Sequence, residues 1–478
     1  MTATRRSRRR WYWVTAVGAM LATGAVVGTW VGRRTREGRW SAPHRRTTTS
    51  RRPDQNISPE SGNSCAALEY DVLDAAESGS LSRLRDLLLR GADAKMVEGR
   101  TKWTGLHWAA YRGDEAVAEL LLTHGADVNA RTAEVYDPPD ASAGEGPLSA
   151  LKTPLFAAAA GGNAGMTRLL LDHRADPKAR GNWGDTALHR AAAEGESEVA
   201  KLLLARGAEV DARTKSGETP LHWAITNHGQ RHFWLWSHPD SLGTERKVDS
   251  NSAVGFLLSH GANPNARDKD GFTPLHWAAA KGHTRLAELL LRNGADPSAT
   301  LKEAHVEHHR MDDDVIGAAG QGVLHLAAAA GDVELVGKMV ARGVSVDLRD
   351  HTGVTPLDEA CRRGREGAVR CLLDHGASVT TTDKAGWTPL HYAVFGGRGK
   401  VTELLLERGA PVDARTIRPL RIQVATGYGY RSWRDVPGGQ TALQLDRACG
   451  NLEIEKALLV HGAGDARMTR SKKTLVAE

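Results

Sequence analysis

The sequence predicts an all-α fold, a solenoid of stacked helix-turn-helix units with β-turn fingers, preceded by one N-terminal transmembrane helix. The first observation is a four-residue motif, Thr-Pro-Leu-His, that recurs along the chain, with several copies 33 residues apart. The second is that the motif opens a pair of short apolar segments with helical spacing, separated by glycine. The third is a run of 22 uncharged residues near the N terminus. Self-similarity at a fixed period of this length indicates identical units stacked in one dimension.

The motif is complete at Thr219–His222, Thr273–His276 and Thr388–His391, and other copies differ from it at one position or more. Copies that begin at Thr153, Thr186 and Thr219 follow one another at intervals of 33 residues. We interpret these residues as the structural motif of the repeat. They are Thr219, Pro220, Leu221, His222, Thr273, Pro274, Leu275, His276, Thr388, Pro389, Leu390 and His391.

A single unit shows how this pattern predicts two helices. Asp-Gly before the motif is a turn signal, Thr273 suits a helix N-cap, and Pro274 suits the first helical position, where no N–H is needed. After a break at Gly282, leucines at helical spacing predict a second helix. Gly294 then ends it, because glycine tolerates the left-handed conformation past a helix C terminus.

The residues from about 67 to 463 resemble ankyrin repeats, whose signature is Thr-Pro-Leu-His-x-Ala with a period of 33 residues. Ten units can be counted, of which the first, from Leu68 to Asp93, lacks the Thr-Pro start and resembles an N-terminal cap. The resemblance implies that the recurring histidines join each unit to the next and bind no metal. The seventh unit has Gly322 in place of threonine, so its first helix should be less well capped.

The resemblance also implies a concave binding face, formed by the turn tips and the exposed side of the first helices. Carried over residue by residue, it nominates partner-binding positions in the turns and first helices. To these we add two tryptophans of an inserted segment. The candidate partner-binding residues are Tyr111, Trp183, Ser216, Glu218, Trp234, Trp236, Lys269, Phe272, Lys384 and Trp387. Large aromatic side chains such as Trp183 and Trp387 are typical of binding hot spots.

The charge of the chain is unevenly distributed. Residues 1–53 contain thirteen arginines and one acid, Glu37, whereas the remainder contains 50 basic and 56 acidic residues. The overall charge of +6 therefore comes from the N-terminal tail, and the repeat array is mildly acidic. An acidic domain matches a phosphate backbone poorly, so we do not expect nucleic acid as a partner.

The uncharged run, residues 11–32, is flanked by arginines and carries aromatic residues at both ends. As a helix it would be roughly 33 Å long, enough to cross a bilayer core, so we expect a single-pass membrane protein of unknown orientation. Two alternatives stay open: a cleaved signal peptide, which would make the protein exported, and an organellar transit peptide.

The predicted organisation follows from these features. Residues 1–10 form a basic N terminus, 11–32 the anchor, 33–64 a disordered tether, 65–463 the repeat array and 464–478 a C-terminal tail. Where the spacing exceeds 33 residues, we place four insertions. They lie at about 131–152, 228–250, 298–320 and 415–439.

The insertions allow more than one interpretation. The aromatic cluster around Trp234 and Trp236 either folds back on the solenoid or meets a partner or membrane. The histidines and aspartates of 298–320 form either a solvated polar loop, which we favour, or a divalent metal site. The arginines and aromatic residues of 415–439 form either a flexible exposed loop, which we favour, or a surface that recognises an anionic partner.

Composition and motifs favour a binding function. The sequence contains no phosphate-binding loop, nucleophile elbow, zinc-protease motif or kinase signature, and the repeats leave little room for a catalytic domain. We therefore expect a protein that is not an enzyme, needs no cofactor or metal, and captures one or more proteins on its concave face. The alternatives are a structural spacer at a membrane or cell envelope, and an exported effector if residues 11–32 are cleaved.

Overall fold

The computed structural model describes most of the chain from Ser64 to Ala463. The residues not described are 1–63, 99–101, 133–151, 227–249, 303–309, 312–313, 316–318, 419, 426–430 and 464–478. The predicted anchor and tether, the C-terminal tail, and Trp234 and Trp236 therefore lie outside the described residues. Within the described part, no helix is both long and apolar enough to span a membrane.

Ten pairs of short helices follow one another in the described residues. The first five pairs are α1 (Ser64–Ser78) with α2 (Leu81–Leu89), α3 (Gly105–Arg112) with α4 (Glu115–Thr123), α5 (Pro154–Ala160) with α6 (Ala164–Asp172), α7 (Ala187–Ala193) with α8 (Ser197–Ala205), and α9 (Pro220–Thr226) with α10 (Ser250–Ser259). The remaining pairs are α11 (Pro274–Ala280) with α12 (Thr284–Arg292), α13 (Val323–Ala330) with α14 (Val333–Ala341), α15 (Pro356–Arg363) with α16 (Glu366–Asp374), α17 (Pro389–Phe395) with α18 (Gly399–Glu407), and α19 (Ala442–Cys449) with α20 (Leu452–Val460).

The helix ends follow the sequence prediction. Thr273 is the N-cap of α11, its hydroxyl accepts a hydrogen bond from the backbone N–H of His276, and Pro274 occupies the first helical position. Gly294 adopts a φ of 86°, the left-handed conformation expected after α12. Gly322 gives α13 no side-chain cap, as the missing threonine predicts.

One continuous apolar core runs through the array. The first helix of each unit packs against the first helix of the next unit, and the second helices contact each other in the same way. This holds for the fifth unit too, although a long insertion separates its helices α9 and α10 in the sequence. Alanines of the first helices, such as Ala109 and Ala278, are fully buried, which lets neighbouring helix backbones approach closely. The leucines of the second helices, such as Leu121 and Leu290, fill the space behind them.

The array is predominantly helical, but two insertions contain short antiparallel hairpins. In 298–320, β1 (Arg310–Met311) pairs with β2 (Asp314–Val315). In 415–439, β3 (Leu420–Ala425) pairs with β4 (Arg431–Val436), with Leu420 opposite Val436. The prediction of a flexible loop for 415–439 is therefore wrong for its two strands. The alternation of apolar and polar residues in Leu-Arg-Ile-Gln-Val was a strand signal that the repeat pattern overshadowed.

Candidate functional site: the turn tips and the face of the first helices

The turn tips of successive units are joined by backbone hydrogen bonds. The N–H of Lys215 donates to the carbonyl of Trp183 at 2.6 Å, and the N–H of Lys269 donates to the carbonyl of Ser216 at 2.8 Å. Later in the array the N–H of Lys384 donates to Thr352 at 2.9 Å, and that of Ile417 donates to Ala385 at 2.7 Å. These bonds hold each tip against the next, so side chains on the tips stand on a fixed backbone.

Most predicted partner-binding residues on the tips are exposed. Trp183 has 68% of its surface exposed, and Ser216, Lys269 and Lys384 are also exposed. Tyr111 and Glu218 are half-buried. The Glu218 carboxylate accepts hydrogen bonds from the hydroxyl of Ser216 at 2.9 Å and from the indole N–H of Trp223 at 3.1 Å, so these polar groups form one network.

Two of the predicted partner-binding residues are buried, and for them the prediction is wrong. Phe272 is 2% exposed and stacks on Trp277 with ring centroids 4.8 Å apart. Trp387 is 4% exposed and packs against Tyr392 and Phe395, at centroid distances of 5.2 Å and 5.5 Å. Each of these side chains comes directly before its unit's threonine and turns inward, onto an aromatic residue of the helix that follows.

Most of the recurring histidines join neighbouring units, as the resemblance implied, and we call each such link a clamp. His276 is the exception, because its buried Nε2 has no partner among the described residues. The Nδ1 of His222 accepts a hydrogen bond from the Thr219 N–H at 3.1 Å, so the proton of the neutral ring lies on Nε2. The Nε2–H then donates to the Phe272 carbonyl of the next unit at 3.2 Å. His107 and His391 make equivalent bonds to the backbone carbonyls of Lys152 and Gln440.

Burial lowers the pKa of His107, His189 and His222 to about 4, so these histidines are neutral at physiological pH.

Asp358 occupies the histidine position of the eighth unit. One carboxylate oxygen accepts from the Thr355 N–H at 2.8 Å and from its hydroxyl at 2.7 Å. The other oxygen is buried and has no partner within the described residues, because the shorter side chain makes no bond to the next unit. Burial raises the pKa of Asp358 to about 7. The clamp between the eighth and ninth units therefore lacks the side-chain hydrogen bond that His325 and His391 make in the adjacent units.

Two features of this face were missed by the sequence analysis. Ile417 is 72% exposed and lies on the tip that follows Lys384. Near the start of the array, Trp103, Tyr111 and Phe156 line a small apolar cleft with Lys152 and Arg190. The Lys152 ammonium lies 4.8 Å from the centre of the Phe156 ring, and burial, followed by the charge of Arg190, lowers its pKa to about 8. The aromatic residues before and within the motif were the available signal.

No metal site is formed by the described residues, among which no cluster of three histidine, cysteine or acidic side chains occurs. The histidines and aspartates singled out in 298–320 lie outside the described residues or have undescribed side chains.

Comparison with known families identifies the class of protein that this geometry defines. Ankyrin repeat models match residues 72–180, 155–235 and 324–416, and related models match 216–269 and 250–291. The chain belongs to the ankyrin repeat family. Ankyrin repeats generally bind protein partners.

Among curated proteins, the chain is 33% identical over 224 residues to Palmitoyltransferase AKR1 of Lachancea kluyveri, an alignment that covers 46% of this chain and 26% of that protein. It is 40% identical over 228 residues to Palmitoyltransferase Hip14 of Drosophila melanogaster, covering 47% of this chain and 30% of that protein. The alignments thus span less than a third of these relatives. The human ASB11 ankyrin repeat domain aligns with 54% of this chain and 99% of its own at 25% identity, with a TM-score of 0.43.

These relatives correct one sequence-based prediction. The absence of catalytic motifs was taken to exclude an enzyme, and that exclusion is wrong, because two relatives are named as palmitoyltransferases. The matches cover only the ankyrin part. The physical reason for the error is that a repeat array and a catalytic activity are compatible within one protein, so an array sets no limit on chemistry elsewhere.

Proposed function

We propose that the array captures a protein partner through its turn tips and the adjoining face of its first helices, tethered to a membrane by residues 11–32. The observation that carries this proposal is the row of tips fixed by inter-unit hydrogen bonds, with the exposed indole of Trp183 at one end. An exposed tryptophan on a rigid backbone loses little entropy on binding, which is the property of a hot-spot residue.

The charge of the tips supports a partner with an acidic surface. Exposed basic side chains recur from tip to tip, although the array as a whole is acidic. They are Lys215, Lys269, Lys302, Lys384 and Arg418. Such a row would steer an acidic partner during association and make its capture sensitive to salt. We therefore define the tip surface as Trp183, Ser216, Ile417 and these five basic residues.

The experiment is affinity capture with the full chain, read by quantitative mass spectrometry at 50 mM and 300 mM salt. The variant Trp183→Ala with Lys269→Ala changes two tip residues that are exposed, so we expect the fold to be retained. Leu89→Ala is a control, because Leu89 is 75% exposed but lies on a second helix. We expect one acidic protein to be retained by the wild type and the control, and at least tenfold less by the tip variant.

Two results would count against the proposal. Equal retention by all three proteins would place binding away from the tip surface. The absence of any enriched protein would favour a spacer role for the array.

A further inference from the structure

A cleft rich in arginine lies away from the tips, where the first helices of the eighth and ninth units end. It has a volume of about 450 Å³, within the range of about 300 to 1,000 Å³ typical of small-molecule sites. Its lining residues are Arg362, Arg363, Arg365, Phe395, Gly396 and Arg398. Four guanidinium groups around one cleft produce a strong positive potential.

The arginines are held in place by the backbone. The Nε–H of Arg365 donates to the Ala329 carbonyl at 3.0 Å, and that of Arg398 donates to the Arg362 carbonyl at 3.2 Å. Their aliphatic stems lie against Gly331 and Gly364, where an added Cβ would come within 2.9 Å and 2.6 Å of the respective arginine Cδ atoms. Each arginine thus crosses from its own unit onto the preceding one. Rotamers fixed in this way reduce the entropy lost when a ligand binds.

The charge of the cleft is only partly compensated. Glu359 forms ion pairs with Arg362 at 2.8 Å and with Arg363 at 3.8 Å. Among the described residues, no carboxylate forms an ion pair with Arg365 or Arg398, whose terminal nitrogens stay available to a ligand. The planar guanidinium fork matches the paired oxygens of a phosphate group.

Position within the helices adds to this argument. Arg365 and Arg398 are the N-cap residues of α16 and α18, and neither helix has a side-chain cap. The corresponding residues of other units include Asp114 and Asp332, whose carboxylates accept hydrogen bonds from the first turn of the helix. Arginine places positive charge where the helix dipole disfavours it, and an anion beside the arginines would offset that cost.

We propose that this cleft binds a compact phosphate-bearing anion, held by the guanidinium groups of Arg362, Arg363, Arg365 and Arg398. The chemistry is shared by a free phosphate compound and by a phosphorylated side chain of a bound protein. Binding is independent of the tip surface, so the Trp183→Ala with Lys269→Ala variant keeps it.

The test is isothermal titration of the full chain at about 0.15 M salt with inorganic phosphate, pyrophosphate and O-phosphoserine. The main variant is Arg365→Asn with Arg398→Asn, because asparagine occupies the corresponding N-cap positions at Asn163 and Asn451. The control, Arg370→Asn with Arg408→Asn, removes the same charge from exposed ion pairs of the same two units. A second variant, Arg362→Gln, leaves both N-caps unchanged.

We expect one saturable site in the wild type and the control, and a dissociation constant at least tenfold higher in the double variant and in Arg362→Gln. Tighter binding of O-phosphoserine than of inorganic phosphate would assign the group to a phosphorylated side chain, and tighter pyrophosphate binding to a free phosphate compound. Unchanged binding in the double variant would overturn the proposal, since the anions would then occupy another site, such as the arginine-rich residues 1–53. The absence of saturable binding in the wild type would overturn it equally.

Discussion

Replacing Trp387 by alanine tests the assignment of this residue to the core. The side chain is 4% exposed, lies between Tyr392 and Phe395, and has His391 at a centroid distance of 6.0 Å. Truncating a buried tryptophan typically costs about 3–5 kcal/mol, through lost burial and the cavity left behind. The hydrogen bond between Trp387 and the Asp383 carboxylate is donated by the backbone N–H of Trp387, so it survives the substitution. We expect Trp387→Ala to lower the free energy of unfolding by about 3 kcal/mol or more.

Trp183→Ala is the matched comparison, because its side chain is 68% exposed and its inter-unit bond uses only the backbone carbonyl. Surface changes of this kind usually alter stability by less than about 0.5 kcal/mol. A third variant, Trp387→Phe, keeps an aromatic ring in the same place and removes an indole N–H that has no partner among the described residues. We expect Trp387→Phe to lower the free energy of unfolding by more than Trp183→Ala does and by less than Trp387→Ala does.

The assay is urea unfolding followed by circular dichroism, combined with hydrogen exchange of α17 and α18. Repeat arrays unfold by units as well as globally, so the exchange measurement locates the loss in the ninth unit. If Trp387→Ala and Trp183→Ala have the same unfolding midpoint and the same exchange in α17, then Trp387 is not a core residue and the reasoning from its burial fails.

Three further predictions concern the clamps and caps. Because the pKa of Asp358 is raised in the folded state, its contribution to stability is fully present below about pH 4 and is lost as the pH rises to about 7. Asp358→Asn should therefore raise the free energy of unfolding at pH 8 by on the order of 2 kcal/mol, measured by urea unfolding. An unchanged free energy of unfolding would contradict the raised pKa of Asp358. The lowered pKa of His276, about 3, predicts the opposite dependence: its contribution is complete above about pH 6.5 and is lost as the pH falls to about 3. Unfolding midpoints measured from pH 8 down to pH 4 should thus decline less in His276→Gln than in the wild type. Thr273→Ala removes the N-cap of α11 and should lower the free energy of unfolding by about 1 kcal/mol in urea unfolding. Thr123→Ala, at the exposed end of α4, should lower it by less.

Much of the clamp region could be predicted from the sequence because its interactions are local. The Thr273 cap, the first-position Pro274 and the bond from the histidine ring to its own threonine join residues no more than three apart. Spacing along the chain therefore fixes them. The second bond, from the ring Nε2 of histidines such as His222 and His391, reaches the neighbouring unit, and the repeat predicts it as well because an equivalent residue lies there. The Nε2 of His276 has no such partner among the described residues, which the repeat did not predict.

The insertions and the irregular units could not be predicted in the same way. The insertion 415–439 contains no copy of the repeat motif, so in the sequence only a weak alternation of apolar and polar residues indicated the paired strands β3 and β4. Asp358 departs from the motif by one residue, and only the structure shows that one of its oxygens is buried without a partner.

By itself, the sequence determined the architecture: the helix pairs, their caps, their order and their joining by histidine, all of which follow from local chemistry repeated at a fixed period. Only the tertiary structure decided which aromatic residues are exposed. Trp183 and Trp387 come from equivalent turns, yet the first is 68% exposed and the second 4% exposed. Trp387 directly precedes Thr388 and meets Tyr392 and Phe395 on the following helix. Trp183 lies on the turn tip three residues before Thr186, and the buried Asp185 holds the place equivalent to Trp387. The arginine cleft arises likewise, because stacking places Arg398 of one unit beside Arg362 of the one before it.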